Sequence, residues 1–433
     1  MTSVVESAVR PLVLDASASE RLGKELGDPA WLATLRARAA SLLASTELPD
    51  GRRSRPWKYA DLKNLDLAAY APAAGGTWHG SERELIERFS LGESDGAAIA
   101  LLNGDAVFTR AGNGVTLTNA AIANGIEARF GRLVAPEPGL FTLMHYAFLR
   151  GGIVVDVEAN AEPGPVRIAR RYEGDGTIGT PHTLVVTGAN SRVTIIEDYR
   201  SSDENMLVLP VVEVYPGPGS QVTCVALHRW GANTRVFSEQ TTVTERDSTL
   251  RSLSVVVGGR QVKSHLTGRL EGRGSASEVL GVALGSGREY SDFYTLQDHV
   301  GPDTRSDLLI KAALEDESQA VYYGLTRVGL GARNADANQE NRNLLLSKKA
   351  KADSDPVLEI LTNDVIRVSH GVTAGPVDEE QLYYMESRGI SREAAQDMLV
   401  RAFLGQVLDR VPDETLRNEL SGIVEAKLGK IGT

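Results

Sequence analysis

The feature that most constrains this chain is a long succession of short β-type pieces, from about Ala97 to Val368, with no room between them for regular crossover helices. Thr183–Val186, Arg192–Glu197, Leu207–Val214, Gln221–Leu227, Thr241–Thr244 and Ser252–Val257 follow one another every ten to twenty residues or so, most of them separated by Gly, Asn, Asp or Ser. Many strands without helices between them leave a sandwich, a barrel or a solenoid. Some pieces alternate and others are apolar on both sides, over roughly 200 residues or more. This favours an irregular parallel β-helix, in which each coil buries its inward side chains on the next and the backbone pairs along the axis. A pair of β-sandwiches is the alternative.

Such a stack has two ends, and helical flanks would cap them. The 433 residues exceed one ordinary compact core, and 43 glycines with 6% aromatics fit a turn-rich body. We expect three parts: residues 1–95 as an N-terminal helical region, 96–368 as the β-helix core and 369–433 as a C-terminal helical domain. Asp28-Pro29 starts a helix whose apolar face is Leu32, Leu35, Ala39, Leu42 and Leu43, and Pro49-Asp50-Gly51 ends it. Arg52, Arg53 and Arg55 read as a solvated charge run rather than an anion site, and Trp57 and Tyr59 as anchors of this arm on the main body.

A net charge of −11 lacks the basic stripe a nucleic-acid partner requires. No run of about 18 apolar residues occurs, and Met1 to Asp15 shows no basic end followed by an apolar stretch, so the expected location is cytoplasmic. Cys224 is the one cysteine, too few for a disulfide or a four-cysteine metal site within the chain. The histidines at 79, 145, 182, 228, 265, 299 and 370 show no close metal-binding spacing.

Two stretches carry polar density. Residues 286–311 include Asp292, Asp298 and His299, which a β-helix carbohydrate lyase or hydrolase could use as acid and base, although an outward polar ladder is the simpler reading. Between 332 and 360, asparagines and aspartates fit turn positions that repeat from coil to coil. From residue 355 to 390 β-type patterning gives way to helix, and His370 stands there between Ser369 and Gly371. Asp378 with Gln381 opens a helix, Gly389 stops it and Ser391 opens a second. The stripe of that second helix runs Met398, Leu399, Ala402, Phe403, Val407; Pro412-Asp413 opens a third.

The ordered segments Asn341–Ser347, Asp353–Pro356, Asn363-Asp364, Ser369-His370-Gly371 and Asp378–Ile390, together with Trp57-Lys58-Tyr59, resemble the signature of the SufB/SufD family, scaffold subunits of the Suf iron-sulfur cluster assembly machine. The resemblance covers most of the chain. It implies a central right-handed parallel β-helix between helical regions, a non-catalytic scaffold role, and a complex in which a SufB-type subunit pairs with a SufD-type subunit through their β-helices. Each would hold a SufC-type ATPase on its C-terminal helices, where Leu399 and Phe403 are the candidate contacts. With Cys224 alone, the chain resembles the SufD branch. His370 matches a histidine facing a partner cysteine where the nascent cluster forms, one iron ligand shared with another chain, while Val368 stands where some relatives carry cysteine and offers no ligand. A reduced flavin is associated with the family's whole complex, yet no flavin fingerprint occurs here, so no cofactor is expected on this chain alone. A homodimeric scaffold without a metal role is a further alternative.

Overall fold

The computed structural model describes residues 14–92, 96–136 and 139–431. Most of Met1 to Asp15 and the expected boundary at residue 95 lie outside the described residues. The protein is mainly β, with 41% strand and 22% helix, and its centre is a solenoid of about 8 turns. Strands alternate between two sheets. In one, Lys351–Ile360, Gln319–Val328, Tyr290–His299, Gln261–Leu270 and Thr234–Thr244 lie side by side; in the other, Val365–Pro376, Ala335–Leu345, Arg305–Leu314, Ala276–Gly285 and Thr249–Val256 do. All of these pairings are parallel. Thr249 lies opposite Ala276, Ala276 opposite Arg305 and Arg305 opposite Asp336, so successive coils take 27, 29 and 31 residues.

The corners explain how such long coils stay in register. One corner of every coil needs a left-handed residue, and Asn160, Asn190, Gly219, Asp247, Gly274, Asp303 and Asn334 occupy it in turn. Short amides and carboxylates tolerate that conformation and also bond up the stack: Asn334 Nδ2 donates to Asp303 Oδ1 at 2.9 Å, and the Asn334 N–H donates to the Asp364 carbonyl at 2.8 Å.

Strand alternation sends one set of side chains into the lumen and the other outward. Inward residues of both sheets, such as Val236, Val262, Phe293 and Tyr322 against Val279, Leu308 and Ile310, form one interior cluster. The outer face of the first sheet joins, through Phe237, Leu184 and Leu209, one buried cluster with the N-terminal helices α1 (Ala16–Leu26) and α2 (Ala30–Leu43). Arg36 on α2 is 2% exposed and fixed by Asp28 at 2.6 Å and by the carbonyls of Ala147 and Leu149, each at 3.0 Å. Trp57 anchors the arm against Phe141 and Phe237 at ring distances of 5.0 and 5.3 Å. α3 (Glu82–Phe89) carries a full capping box from Ser81 and Glu84.

The structure departs from the expected β run at one point. A buried helix, α4 (Leu140–Ala147), interrupts it, with seven of its eight residues buried. Its short run Leu-Phe-Thr-Leu-Met, apolar but for Thr142, is too brief for its period to separate strand from helix by sequence. The C-terminal helices are α5 (Glu379–Ser387), α6 (Arg392–Leu408) and α7 (Glu414–Ile431), with Asp378 and Ser391 capping the first two as expected. Val400, Leu404, Val407, Leu416, Leu420 and Val424 lie on the outer face of the second sheet, against Leu253, Val255, Leu280 and Val282.

Candidate functional site at the open end of the solenoid

The two ends of the stack differ. At the N-terminal end the antiparallel strands Asp105–Arg110 and Val115–Asn119 close the two sheets. At the other end Lys351–Ile360 and Val365–Pro376 are the outermost strands of their sheets, 10 and 12 residues long, and among the described residues no further strand covers either. Both show half-buried or exposed positions along their length, in contrast to the buried strands beneath. Two long edges with unpaired N–H and C=O groups are a template for pairing with another chain. Ile366, 70% exposed, is the extra residue of a bulge opposite the Ala335–Asp336 step, and Val372 is also exposed.

His370 lies within the last strand, so β structure continues past the expected change at residue 368 and runs to Pro376. The histidine is therefore a strand residue and not part of a turn before a helix. The strand runs on through Gly371 and Gly375 because its partner Ala335–Leu345 holds their backbone. His370 lies directly opposite Gln339 and Val368 opposite Ala337. Gln339 turns its amide into the lumen, where Tyr322 Oη donates to its Oε1 at 2.9 Å, so His370 belongs to the lumen-facing column and caps it at the rim. It is exposed because no coil lies above it.

The floor beneath His370 is polar and ordered. Gln339 Nε2 donates to the Val357 carbonyl at 3.3 Å, Ser354 Oγ to Asn341 Oδ1 at 2.7 Å and Asn343 Nδ2 to Asn341 Oδ1 at 2.8 Å. Asn341 and Asn343 thus stand inside the lumen and not at the turns where sequence placed them; Asn334 is the turn residue. Ser369 points the other way and bonds Asn338 Oδ1 at 2.8 Å.

Among the described residues no group of three or more His, Cys, Asp or Glu side chains could hold a metal ion. His370 can present one imidazole nitrogen at the rim, a borderline ligand suited to iron, and Val368 beside it presents none. Cys224 is 7% exposed among Val193, Ile195, Val222 and Leu250, several coils away, and burial pushes its thiol well above the usual range, so it stays protonated. Any cluster formed at this rim needs thiolates from another chain.

The acid and base suggested by residues 286–311 do not converge. Asp292 pairs with Lys263 at 2.9 Å and Asp298 with Arg327 through two contacts of 2.9 and 2.5 Å, both on the outer face. His299 faces the lumen, between Thr304 at 2.9 Å and Ser306 at 2.8 Å. The two carboxylate pairs link neighbouring coils, and the histidine contacts cross a corner within one coil.

The two expected contact residues of the C-terminal helices pack within the chain. Leu399 is half-buried against Val377, Leu382 and Ala395, and Phe403 is half-buried with its ring 4.4 Å from the Lys311 ammonium. Lys311, 1% exposed, donates to the Phe403 carbonyl at 3.0 Å and to Gln406, and burial followed by the nearby Arg342 brings its pKa down to about 8. Arg410 with Asp307 at 2.7 Å, Lys427 with Glu289 at 2.7 Å and Arg167 with Glu419 at 2.7 Å fasten the same helices to the solenoid. The exposed apolar residues here are Tyr383 at 74%, Tyr384 at 59% and Met398 at 51%. Sequence periodicity put Met398 in the same stripe as Leu399, and the two tyrosines were legible only as part of a motif.

Comparison with known proteins identifies a family. The family model described as "SUF system FeS cluster assembly, SufBD core domain" matches residues 170–403. The iron-sulfur cluster assembly protein SufD of Bacillus subtilis is 28% identical over 292 residues, 66% of each chain. An iron-sulfur cluster assembly SufBD family protein of Synechocystis is 27% identical over 419 residues, 92% of this chain and 91% of its own. SufD of Escherichia coli is 32% identical over 192 residues, 44% of this chain and 45% of its own. The matched segment runs from the coils above α4 through the open end and into α6, so the chain belongs to the SufB/SufD family of SUF iron-sulfur cluster assembly proteins and is SufD-like within it.

Proposed function

We propose that this chain is a non-catalytic scaffold subunit that pairs with a SufB-type subunit through the open end of its solenoid and helps form the site where a nascent iron-sulfur cluster, the cargo, is built. The observation that carries this reading is the uncovered last coil, with two long edge strands and His370 at the lumen rim. Edge pairing across the two chains would continue both sheets and bring partner thiolates over His370, which would contribute one neutral imidazole ligand. The flavin associated with the family would be held by the assembled complex, in the cytoplasm. Among the described residues no helix is long and apolar enough to cross a membrane.

We propose further that a SufC-type ATPase docks on α5 and the start of α6 through Tyr383, Tyr384 and Met398. Leu399 and Phe403 are engaged in packing within the chain and would act by holding those residues in place. Substituting Met398→Asp together with Tyr383→Asp should abolish co-purification of the ATPase from a folded complex; undiminished recovery would move the dock elsewhere. For the rim, His370→Ala in the reconstituted complex should lower cluster yield, followed by visible absorbance, several-fold while pairing persists. Normal yield would return His370 to a structural role. The same edges also fit a second copy of the chain, and native mass of the purified assembly separates the two pairings.

A further inference from the structure

Inside the solenoid, between the coils that precede the open end, polar side chains accumulate without partners. Ser254 Oγ and Ser264 Oγ come from opposite sheets, are 3% and 2% exposed as residues, and make no hydrogen bond within the protein. Both line one small cavity of about 20 Å³, together with Gln240, Ser252 and His228. Two more donors belong to this lining. Gln240 Nε2 donates to Ser252 Oγ at 2.6 Å, so the Ser252 hydroxyl proton is left to donate elsewhere. The Trp230 indole N–H, which can only donate, gives its hydrogen to His228 Nδ1 at 3.0 Å, so the single proton of the neutral ring sits on Nε2. His228 lines the same cavity, so this N–H is the donor it offers there.

Buried hydroxyls left unbonded are destabilising, and native interiors do not accumulate them. A cavity of this size admits one water, since a water needs about 10 to 15 Å³ of such space and two to four polar partners. We infer that the solenoid interior contains a built water-binding site between Ser254 and Ser264, with the Ser252 hydroxyl and His228 Nε2–H as its donors. The ligand class is water: of the two carboxylates in the lining, Glu197 turns inward but is already paired with buried Arg170 at 2.8 Å, and Glu239 is held by His265 at 2.7 Å, so neither is left to hold an ion. The next coil repeats the arrangement in part. Ser277 Oγ and Gln297 Oε1 are likewise without partners, and both lie 3.1 Å from where a Cβ on Gly268 would stand, so glycine at 268 keeps the lumen open beside them. The polar lining then continues through Tyr322, Gln339 and Asn341 to the rim.

The sign of a stability change tests this. If a water bridges the two serines, Ser254→Ala and Ser264→Ala each remove one of its partners and lower Tm by about 1 to 2 °C. If the cavity is dry, each substitution deletes an unsatisfied hydroxyl and raises Tm, which overturns the inference. A high-resolution crystal structure of the unmodified chain gives an independent reading. Density for a solvent atom within about 2.7 to 3.2 Å of both Ser254 Oγ and Ser264 Oγ is the expected result. An empty cavity, or the two hydroxyls bonded directly to protein atoms, overturns it whatever the variants do.

Discussion

Gly324 shows what the lumen asks of a single residue. A Cβ there would meet Tyr322 Oη at 1.9 Å and Gln339 Oε1 at 2.6 Å, the two atoms whose hydrogen bond forms the floor beneath His370. The position needs glycine for space, because the tyrosine ring is itself 2% exposed and has nowhere to retreat. Gly324→Ala should destabilise by about 1 to 3 kcal/mol, the usual cost of overpacking a filled core, read as a lowered midpoint in urea. An unchanged midpoint would mean that Tyr322 and Gln339 are free to move, and the rim would not be preorganised. In the sequence Gly324 is one glycine among 43. Nothing local separates it from a turn glycine, since its role depends on a tyrosine two residues earlier and a glutamine from the other sheet. His370 was legible because of its motif, and its direction was not: whether it faced solvent, lumen or partner depended on the parity of a strand whose extent the glycines concealed.

At the scale of elements, the corner ladder and the open edge pull against each other. The ladder of Asn, Asp and Gly at left-handed corners specifies parallel stacking coil by coil, and its spacing of 27 to 31 residues follows from the register between neighbouring strands. This period was present in the sequence and was obscured by its own irregularity, since the corner alternates between three residue types and the coil length drifts. The same stacking that makes each coil a good partner leaves the last one without a neighbour. Ile366 and Val372 then sit exposed on the final strand where an isolated protein would place charges. Under the proposed pairing, Ile366→Lys with Val372→Lys should weaken binding of a SufB-type subunit at least tenfold, measured by titration of purified subunits, and leave the far-UV spectrum and Tm of the chain unchanged. Pairing at full strength would place the interface away from this edge.

For the whole molecule, the buried histidines set an acid limit. His228 and His299 have pKa values brought down to about 4 by burial, and His145, buried and hydrogen-bonded to Leu209 and His182, is lowered as well. Their folded values lie below those of the unfolded chain, so as pH falls below about 6.5 the unfolded state takes up protons first. The stability they contribute is complete above that pH and is lost as pH falls toward 4. For His228 the loss between pH 7 and pH 5 is on the order of 2 kcal/mol. His228→Gln should flatten the difference in urea midpoint between pH 7 and pH 5 by that amount; an unaltered pH dependence would mean that His228 takes up a proton in the folded chain more readily than its burial suggests.

What the sequence determined by itself was the kind of body and its order: closely spaced β pieces without crossover room require a stacked or layered β core, and the caps at Asp378 and Ser391 place the helices after it. The count of one cysteine also bounded the chemistry, because no fold can raise the number of thiolates a chain carries. Only the tertiary structure decided where α4 would interrupt the strands, which polar residues would pair on the outside and which would line the lumen, and that the last coil would end uncovered with His370 at its rim. Those outcomes depend on register and parity between residues about thirty positions apart, and a shift of one residue in any coil would have turned the same side chains to the opposite face.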